Sequence, residues 1–99
     1  MKVLHLTLKK KWFDMIASGE KKEEYREDKD YWRRRLLVRG EVVDDMRLFH
    51  EVEFRNGYQK NAPRMRFKVI DIHPGEGRPE WGAPSGWCFV IKLGERINP

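Results

Sequence analysis

Residues 3–26 are VLHLTLKKKWFDMIASGEKKEEYR, and they predict the first half of the fold. Residues 3–8 alternate leucine with other side chains, which is the period-two pattern of a strand with one buried face. Residues 9–18 then place their apolar side chains at helical spacing. Gly19 ends this helix, because glycine tolerates the left-handed conformation at a helix carboxyl end. A second strand over residues 21–27 completes a strand, helix and strand.

A second helix and a third strand are predicted next. Asp30 is the expected N-cap of a helix over residues 31–38, and Gly40 ends it. Residues 48–55 alternate as a strand and lead into the Asn56-Gly57 turn signal. A hairpin or a wide loop is therefore expected after this strand.

The last part of the chain predicts two more strands separated by a loop. Met65, Phe67 and Val69 alternate on one face of a strand, whereas Ile70 and Ile72 fall on the other face. This change predicts a bulge or corner near Val69-Ile70. Residues 74–86 are rich in Gly and Pro and predict a loop. Residues 87–93 alternate as the last strand. The order of elements predicts an α+β fold with a curved, mainly antiparallel sheet.

The alternating apolar residues of the strands predict a single core. Its expected members are Leu4, Leu6, Leu8, Tyr25, Val52, Phe54, Phe67, Phe89 and Ile91. Trp12, Trp32 and Trp87 lie on apolar stripes and are also expected in the core. Cys88 lies within the last strand and is expected to be an inert core thiol.

Length and composition predict a folded protein with a single domain over residues 1–99. Hydrophobic residues make up 39% and aromatic residues 12%, which is enough apolar surface for a core despite 37% charged residues. The sequence has no apolar run near the ~18 residues of a membrane span and no signal-peptide core. Cys88 is the only cysteine, which excludes an intrachain disulfide. We therefore expect a cytoplasmic protein that does not enter a membrane.

The charge balance is basic. Lys and Arg number 21 against 16 Asp and Glu, which gives a formal charge of +5. Such a balance is typical of proteins that bind polyanions, although it also serves solubility. The basic residues form four clusters, which are Lys9 to Lys11, Lys21 with Lys22, Arg33 to Arg35 with Arg39, and Arg64, Arg66 and Lys68. A fold that gathers these clusters on one face would present a surface for RNA.

Residues 19–26 form a G-x-K-x-x-E-x-R motif between the first helix and the second strand. Gly19 allows a sharp reversal of the chain, and Glu24 and Arg26 share one face of the strand. We expect Lys21 to converge with them from the turn as an exposed side chain, so that its removal barely changes stability. Such a trio can bind phosphate, hold a nucleobase or transfer a proton. The alternative is a set of surface charges that protect an edge strand from aggregation.

This motif resembles the signature of the ASCH domains, a family of small PUA-like β-barrels. Further segments along most of the chain are similar to small stand-alone members, namely Leu4 to Leu8, Trp12 to Ile16, Glu24 to Glu27 with Tyr31-Trp32, Asn56 to Tyr58, Trp81 to Pro84 and Phe89 to Gly94. The resemblance implies a small PUA-like β-barrel of about five to six mainly antiparallel strands with two short helices. It also implies a cleft beside the motif, RNA or nucleotide recognition, and enzymatic activity in a few relatives.

Two relatives in that family are enzymes, an amidohydrolase that acts on acetylated cytidine and a ribonuclease. Lys21 matches the motif lysine of the amidohydrolase. Glu24 occupies the position of the threonine nucleophile, and a carboxylate cannot supply that hydroxyl for acyl transfer. Direct inheritance of the amidase mechanism is therefore disfavoured. A ribonuclease could use Lys21 and Glu24 as acid and base without a metal.

The remaining candidate residues are an aromatic side chain and three histidines. Trp81 lies in the Gly and Pro-rich loop, where it could stack on a base or fold back to seal the end of a barrel. His5, His50 and His73 occur singly, without the spacing of a zinc site, so we expect no metal. The sequence lacks the glycine motifs of NTPases and dinucleotide enzymes, so no cofactor is predicted.

Three functions follow from the sequence. The leading hypothesis is a protein that binds RNA or a modified nucleoside or nucleotide in a cleft. The residues of this predicted site are Lys9, Lys10, Lys11, Lys21, Glu24, Arg26 and Trp81. The second hypothesis is a small metal-independent hydrolase of RNA or a modified nucleoside, with Lys21 and Glu24 as catalytic residues. The third is a protein-interaction module with a basic face. We favour a monomer.

Overall fold

The structure is a computed structural model that describes residues 2–39, 44–46 and 49–97. The elements are β1 (Val3–Leu8), α1 (Lys10–Ala17), β2 (Glu23–Glu27), α2 (Asp30–Leu36), β3 (Leu37–Arg39), β4 (Asp44–Met46), β5 (Glu51–Asn56), β6 (Arg64–Glu76), a 3-10 helix (Pro79–Trp81) and β7 (Trp87–Ile97). The sequence does not predict β3 and β4, because three residues are too few to show a period. None of the described helices is long and apolar enough to cross a membrane.

Five strands form one curled sheet in the order β1-β5-β6-β7-β2. β1 and β5 are parallel, whereas the other neighbours in this sheet are antiparallel. β3 and β4 form a separate antiparallel pair. The predicted α+β class with a curved, mainly antiparallel sheet is therefore confirmed, in the form of a half-barrel with two helices. β1 and β2 are the two edges of this sheet, so the half-barrel opens between them.

The predicted irregularity in β6 is present. The pairing of β6 with β7 shifts register between Phe67 and Val69 and again between Val69 and Asp71. These shifts leave Ile70 61% exposed and return Ile72 to the core. A bulge of this kind bends a strand, which lets the sheet curl around its core.

The main core lies between the concave face of the sheet and the apolar faces of α1 and α2. It contains every residue of the set predicted from the strand pattern except Tyr25, and Trp32 packs against it. Trp12 and Cys88, which are also predicted in the core, are not part of this cluster. Tyr25 lies in a second cluster with Cys88 and Val90, so its assignment to the main core is wrong. The register places Tyr25 directly opposite Val90, and directly opposed residues lie on the same face of a sheet. This face is opposite to the one that carries Phe89 and Ile91.

Four further predictions need correction. Lys29 is the N-cap of α2, whereas Asp30 lies in its first turn, where a negative charge favours the helix amino end. Trp87 is 69% exposed rather than buried, since β2 ends opposite Cys88 and does not extend alongside Trp87. The predicted loop over residues 74–86 contains the end of β6 and the 3-10 helix. The predicted end of α2 at residue 38 is also wrong, since α2 ends at Leu36 and Leu37–Arg39 forms β3. Gly40 lies outside the described residues.

Candidate functional site

The motif starts at the carboxyl end of α1, where the chain turns towards β2. Gly19 has a φ of +85°, a left-handed conformation that side chains with a Cβ adopt only with strain. The Lys21 amide donates to the Met15 carbonyl at 3.0 Å. The Lys22 carbonyl accepts a hydrogen bond from the Leu93 amide at 3.1 Å. These two bonds fix Lys21 between α1 and the edge strand β2.

Lys21 is 2% exposed and lies inside a shell of acceptors and aromatic rings. Its Nζ is 3.1 Å from Glu24 Oε1 and also donates to the carbonyl oxygen of Trp81. The same Nζ is 4.7 Å from the centre of the Tyr25 ring and 5.2 Å from the centre of the Trp12 ring. Both distances are within the range of cation–π attraction. The prediction of an exposed Lys21 is therefore wrong, because the turn directs the side chain into the protein.

A close approach between Gly82 and Trp12 brings the Trp81 carbonyl to this position. Gly82 ends the 3-10 helix with a φ of +88°. A Cβ at this position would lie 2.8 Å from the Trp12 ring. Only glycine therefore allows the end of the 3-10 helix to lie directly on the indole of α1, and the contact holds the Trp81 carbonyl beside Lys21.

Glu24 and Arg26 project from β2 onto the concave face of the sheet. Glu24 lies opposite Ile91 in the neighbouring strand, and Arg26 lies opposite Phe89. The Glu24 carboxylate is almost completely buried, with Oε1 towards Lys21 and Oε2 paired with Arg26 Nη1. The three motif side chains thus converge as predicted and form a continuous chain in which one carboxylate lies between two cations.

Arg26 also connects the two edges of the half-barrel. Its Nη2 donates to the Thr7 carbonyl of β1 at 3.3 Å, and its Nη1 donates to the Tyr25 carbonyl at 2.9 Å. The guanidinium carbon is 5.1 Å from the centre of the Trp32 ring of α2. Its Nε is buried and has no hydrogen-bond partner within the described part of the chain. Arg26 therefore spans the opening between β1 and β2.

Burial dominates the electrostatics of this site. The pKa of Lys21 is below its usual value, because desolvation outweighs the opposing attraction of Glu24. Burial likewise raises the pKa of Tyr25. The Tyr25 hydroxyl donates to Glu23 Oε1 at 2.8 Å and accepts from the Arg78 amide at 3.1 Å. Tyr25 is thus held as a neutral phenol beside the lysine.

Trp81 lies next to this site, and its ring and its backbone carbonyl make different contacts. The ring is partly buried and packs against the second cluster, below an Arg78 guanidinium 4.6 Å from its centre. This position matches the sealing alternative more closely than a free stacking platform. The backbone carbonyl contacts Lys21, a role that the sequence does not predict.

The three lysines at the start of α1 differ in their relation to the site. All three are exposed. Lys10 pairs with Asp14 at 2.5 Å along the helix. Lys11 Nζ lies 4.7 Å from the centre of the Trp12 ring, which also contacts Lys21. Of these lysines, Lys11 has a described contact with an aromatic ring of the site.

Trp87 is a candidate binding residue that the sequence pattern assigns to the core. Trp87 shares the concave face with Phe89, and Phe89 is directly opposite Arg26. Trp87 is therefore a diagonal neighbour of Arg26, and diagonal neighbours lie ~7–8 Å apart, within reach of an aromatic side chain. Trp87 continues the apolar alternation of Phe89 and Ile91, but it lies beyond the point where β2 ends. An apolar residue in such a position is the signal that could have identified it.

The described residues contain no group of three or more His, Cys, Asp or Glu side chains that could hold a metal ion. His5 instead contacts Glu53 at 3.1 Å, and His73 contacts Asp71 at 2.8 Å. No protein-family model, no curated protein and no solved structure matches the chain. The function must therefore be inferred from the motif and its geometry.

Proposed function

We propose that the protein binds a nucleobase, in single-stranded RNA or in a modified nucleoside or nucleotide, at the opening between β1 and β2. The observation that carries the proposal is the buried chain of Lys21, Glu24 and Arg26 among the rings of Trp12 and Tyr25. Desolvating such groups costs several kcal/mol per ion, and apolar residues often fill the same volume with equal or greater stability. Buried, perturbed charges at an opening are therefore typical of a functional site.

The chemistry of the chain suits the edge of a base. Arg26 carries a planar set of N–H donors, and the Glu24 carboxylate lies beside them with further lone pairs. Unstacked bases are recognised through hydrogen bonds to such donors and acceptors and through stacking on aromatic rings. The exposed indole of Trp87 supplies a stacking surface next to Arg26. Stacking of this kind contributes about 1–3 kcal/mol per base.

The resemblance to the ASCH domains supports the same proposal. The G-x-K-x-x-E-x-R motif that carries the resemblance also supplies the buried chain of charges. A curled five-stranded sheet with two helices is compatible with a PUA-like barrel, which is the finer fold that we propose. The implied cleft beside the motif would then be the opening that Arg26 spans.

A second candidate is a small metal-independent hydrolase of RNA or a modified nucleoside. The observation that favours it is the short contact between Lys21 Nζ and Glu24 Oε1, at 3.1 Å, together with the lowered pKa of the lysine. A lysine of lowered pKa and an adjacent carboxylate can exchange a proton, as general acid and base catalysis requires. In this candidate Lys21 and Glu24 act on the ligand that the same opening binds.

The test compares the parent with Lys21→Met, which removes the charge and keeps most of the side-chain volume. Lys22→Met is the matched control, because Lys22 is the exposed neighbour in the same motif. Calorimetric titrations with cytidine, acetylated cytidine and a short mixed-sequence RNA measure binding, and mass spectrometry of the same mixtures detects products. Thermal melts establish that each variant is folded.

A binder should lose about tenfold or more in affinity on Lys21→Met, because the variant removes the charged partner that holds the Glu24 carboxylate beside Arg26. Lys22→Met should retain the parent affinity, and the ligands should be recovered unchanged. A hydrolase should convert substrate in the parent and lose turnover on Lys21→Met. Equal affinity in the parent and a folded Lys21→Met variant, without turnover in either, would contradict both functions.

A further inference from the structure

A pocket of about 330 Å³ lies along the start of β1, where α2 passes beside it. Its lining combines basic and apolar side chains, and its residues are Lys2, Val3, Leu4, His5, Arg34, Arg35 and Phe49. β1 supplies consecutive residues because it is an edge strand and its free side borders the pocket. The pocket is separate from the residues of the motif.

The charges that face this pocket are predominantly positive. Lys2, Arg34 and Arg35 are exposed and line the pocket. Arg35 lies with its guanidinium carbon 4.9 Å from the centre of the Tyr31 ring, which leaves its charge uncompensated by that contact. These three side chains give the lining a positive charge, which favours an anion over a cation.

Two acids of β5 lie opposite pocket residues of β1, and both have basic partners. Glu51 lies opposite Val3 and contacts Arg66 at 3.2 Å. Glu53 lies opposite His5 in the register of β1 and β5. Its carboxylate contacts His5 at 3.1 Å and Arg66 at 3.5 Å, with Arg64 at 4.0 Å. Glu53 thus does not offset the charges of Arg34 and Arg35.

The pocket and the motif lie along the same edge of the sheet. Arg26 contacts β1 at Thr7, and the pocket borders β1 at Val3. Four residues of extended strand separate these positions by about 13 Å. α2 links them as well, since Trp32 lies against Arg26 and Arg34 lines the pocket. A stacked strand rises ~3.4 Å along its axis per nucleotide, so a strand of about four nucleotides spans this distance.

We propose that this pocket binds a phosphate of a single-stranded RNA whose base occupies the opening between β1 and β2, an assignment that rests on the proposed function. Arg34 and Arg35 provide forked donors that suit phosphate oxygens, and Lys2 adds a third cation. Phe49 and Val3 provide the apolar part of the lining against a ribose or a neighbouring base. The protein thus binds a strand through two subsites, one for a base and one for the backbone.

The experiment measures the salt dependence of binding of a short mixed-sequence single-stranded RNA. The test variant is Arg34→Gln with Arg35→Gln, and the control with the same loss of charge is Lys60→Gln with Arg96→Gln. Lys60 and Arg96 are exposed and do not line the pocket. Each phosphate contact of a single strand contributes about 0.7 to the slope of log K against log salt. The test variant should therefore lower the slope by about 1.4 if each arginine binds one phosphate, and the control should keep the parent slope.

The two proposals fail in different ways. Three results would contradict phosphate binding in the pocket. They are equal slopes for the parent and the arginine variant, equal losses of slope in the test and control variants, and no binding of RNA at low salt. A second set of results would contradict the base site and leave the phosphate pocket supported. In that case the parent binds no nucleoside, Lys21→Met does not change RNA affinity, and the arginine variant still lowers the salt slope. Unchanged nucleoside affinity in the arginine variant is expected, because the pocket contacts the phosphate rather than the base.

Discussion

Two ion networks lie on opposite faces of the same sheet and differ in their access to water. On the concave face, Glu24 pairs with Lys21 and Arg26, whose side chains are 1% and 15% exposed. On the convex face, Glu53 pairs with His5 and Arg66, whose side chains are 67% and 31% exposed. Each carboxylate has basic partners, but those of the convex network are more accessible to water. Burial, rather than the number of ion pairs, thus distinguishes the candidate site from an ordinary polar surface.

Removal of the central carboxylate should give the largest difference between the two networks. Glu24→Gln leaves Lys21 and Arg26 as buried cations without a counter-charge, and loss of one partner of a buried pair costs about 3–5 kcal/mol. Glu53→Gln should cost only about 1 kcal/mol or less, since its partners remain hydrated. Urea unfolding of both variants measures this difference. Equal losses would mean that the concave network is as hydrated as the convex one.

Two neighbours on β7 offer a second comparison, between the closed and the open part of the concave face. Phe89→Ala should cost about 3–5 kcal/mol, because it removes a buried ring and leaves a cavity. Trp87→Ala should change stability by no more than about 0.5 kcal/mol, because most of its indole is exposed. The same variant should weaken RNA binding by about 1–3 kcal/mol if Trp87 stacks on a base. Melting curves and RNA titrations of both variants measure these effects, and unchanged RNA affinity for Trp87→Ala would remove it from the site.

Local patterns predict most of this fold and less of the site. Two features depend only on residues that are close in the sequence, and both are present. They are the strand predicted from the alternating leucines of residues 3–8 and the irregularity predicted at Val69-Ile70. The exposure of Trp87 depends on where β2 ends, which is a property of strand pairing. The spacing of Glu24 and Arg26 identifies a shared strand face, but it does not indicate that this face is the concave one.

The burial of Lys21 shows the same limit at a single side chain. Its partners include the Trp81 carbonyl, which is sixty residues away in the chain. This contact requires the approach of Gly82 to Trp12, and no spacing within the motif encodes it. A long cation after a turn is ordinarily exposed, so the sequence alone favoured the wrong environment for this residue.

The lowered pKa of Lys21 predicts a smaller, pH-dependent difference. The folded state releases this proton at a lower pH than the unfolded chain, whose lysine titrates near 10.5. Below the folded pKa both states are protonated and the burial penalty is fully present. As the pH rises through the folded pKa, the unfolded state binds more protons, so stability increases up to about the unfolded pKa.

Unfolding free energies of the parent and Lys21→Met, measured between about pH 7 and pH 10, isolate this contribution. The parent should gain stability relative to the variant as the pH rises. Tyr25, with a raised pKa, contributes a loss of stability above its usual value of 10.0, but it does so in both proteins. A stability difference that stays constant over this range would show that the attraction of Glu24 offsets desolvation and that the folded pKa of Lys21 is not lowered.

An exposed pair on α1 should show the smallest effect. Lys10 Nζ lies 2.5 Å from Asp14 Oδ2 at i, i+4 spacing, and both side chains are more than half exposed. Pairs of this kind contribute about 0.3–0.5 kcal/mol, because water screens the charges and ordering the side chains costs entropy. Asp14→Asn should therefore lower stability by no more than ~0.5 kcal/mol, and added salt should reduce the difference further. Urea unfolding at low and high salt measures both effects. A loss as large as that of Glu24→Gln, or one that persists at high salt, would show that ion pairs in this protein do not depend on burial.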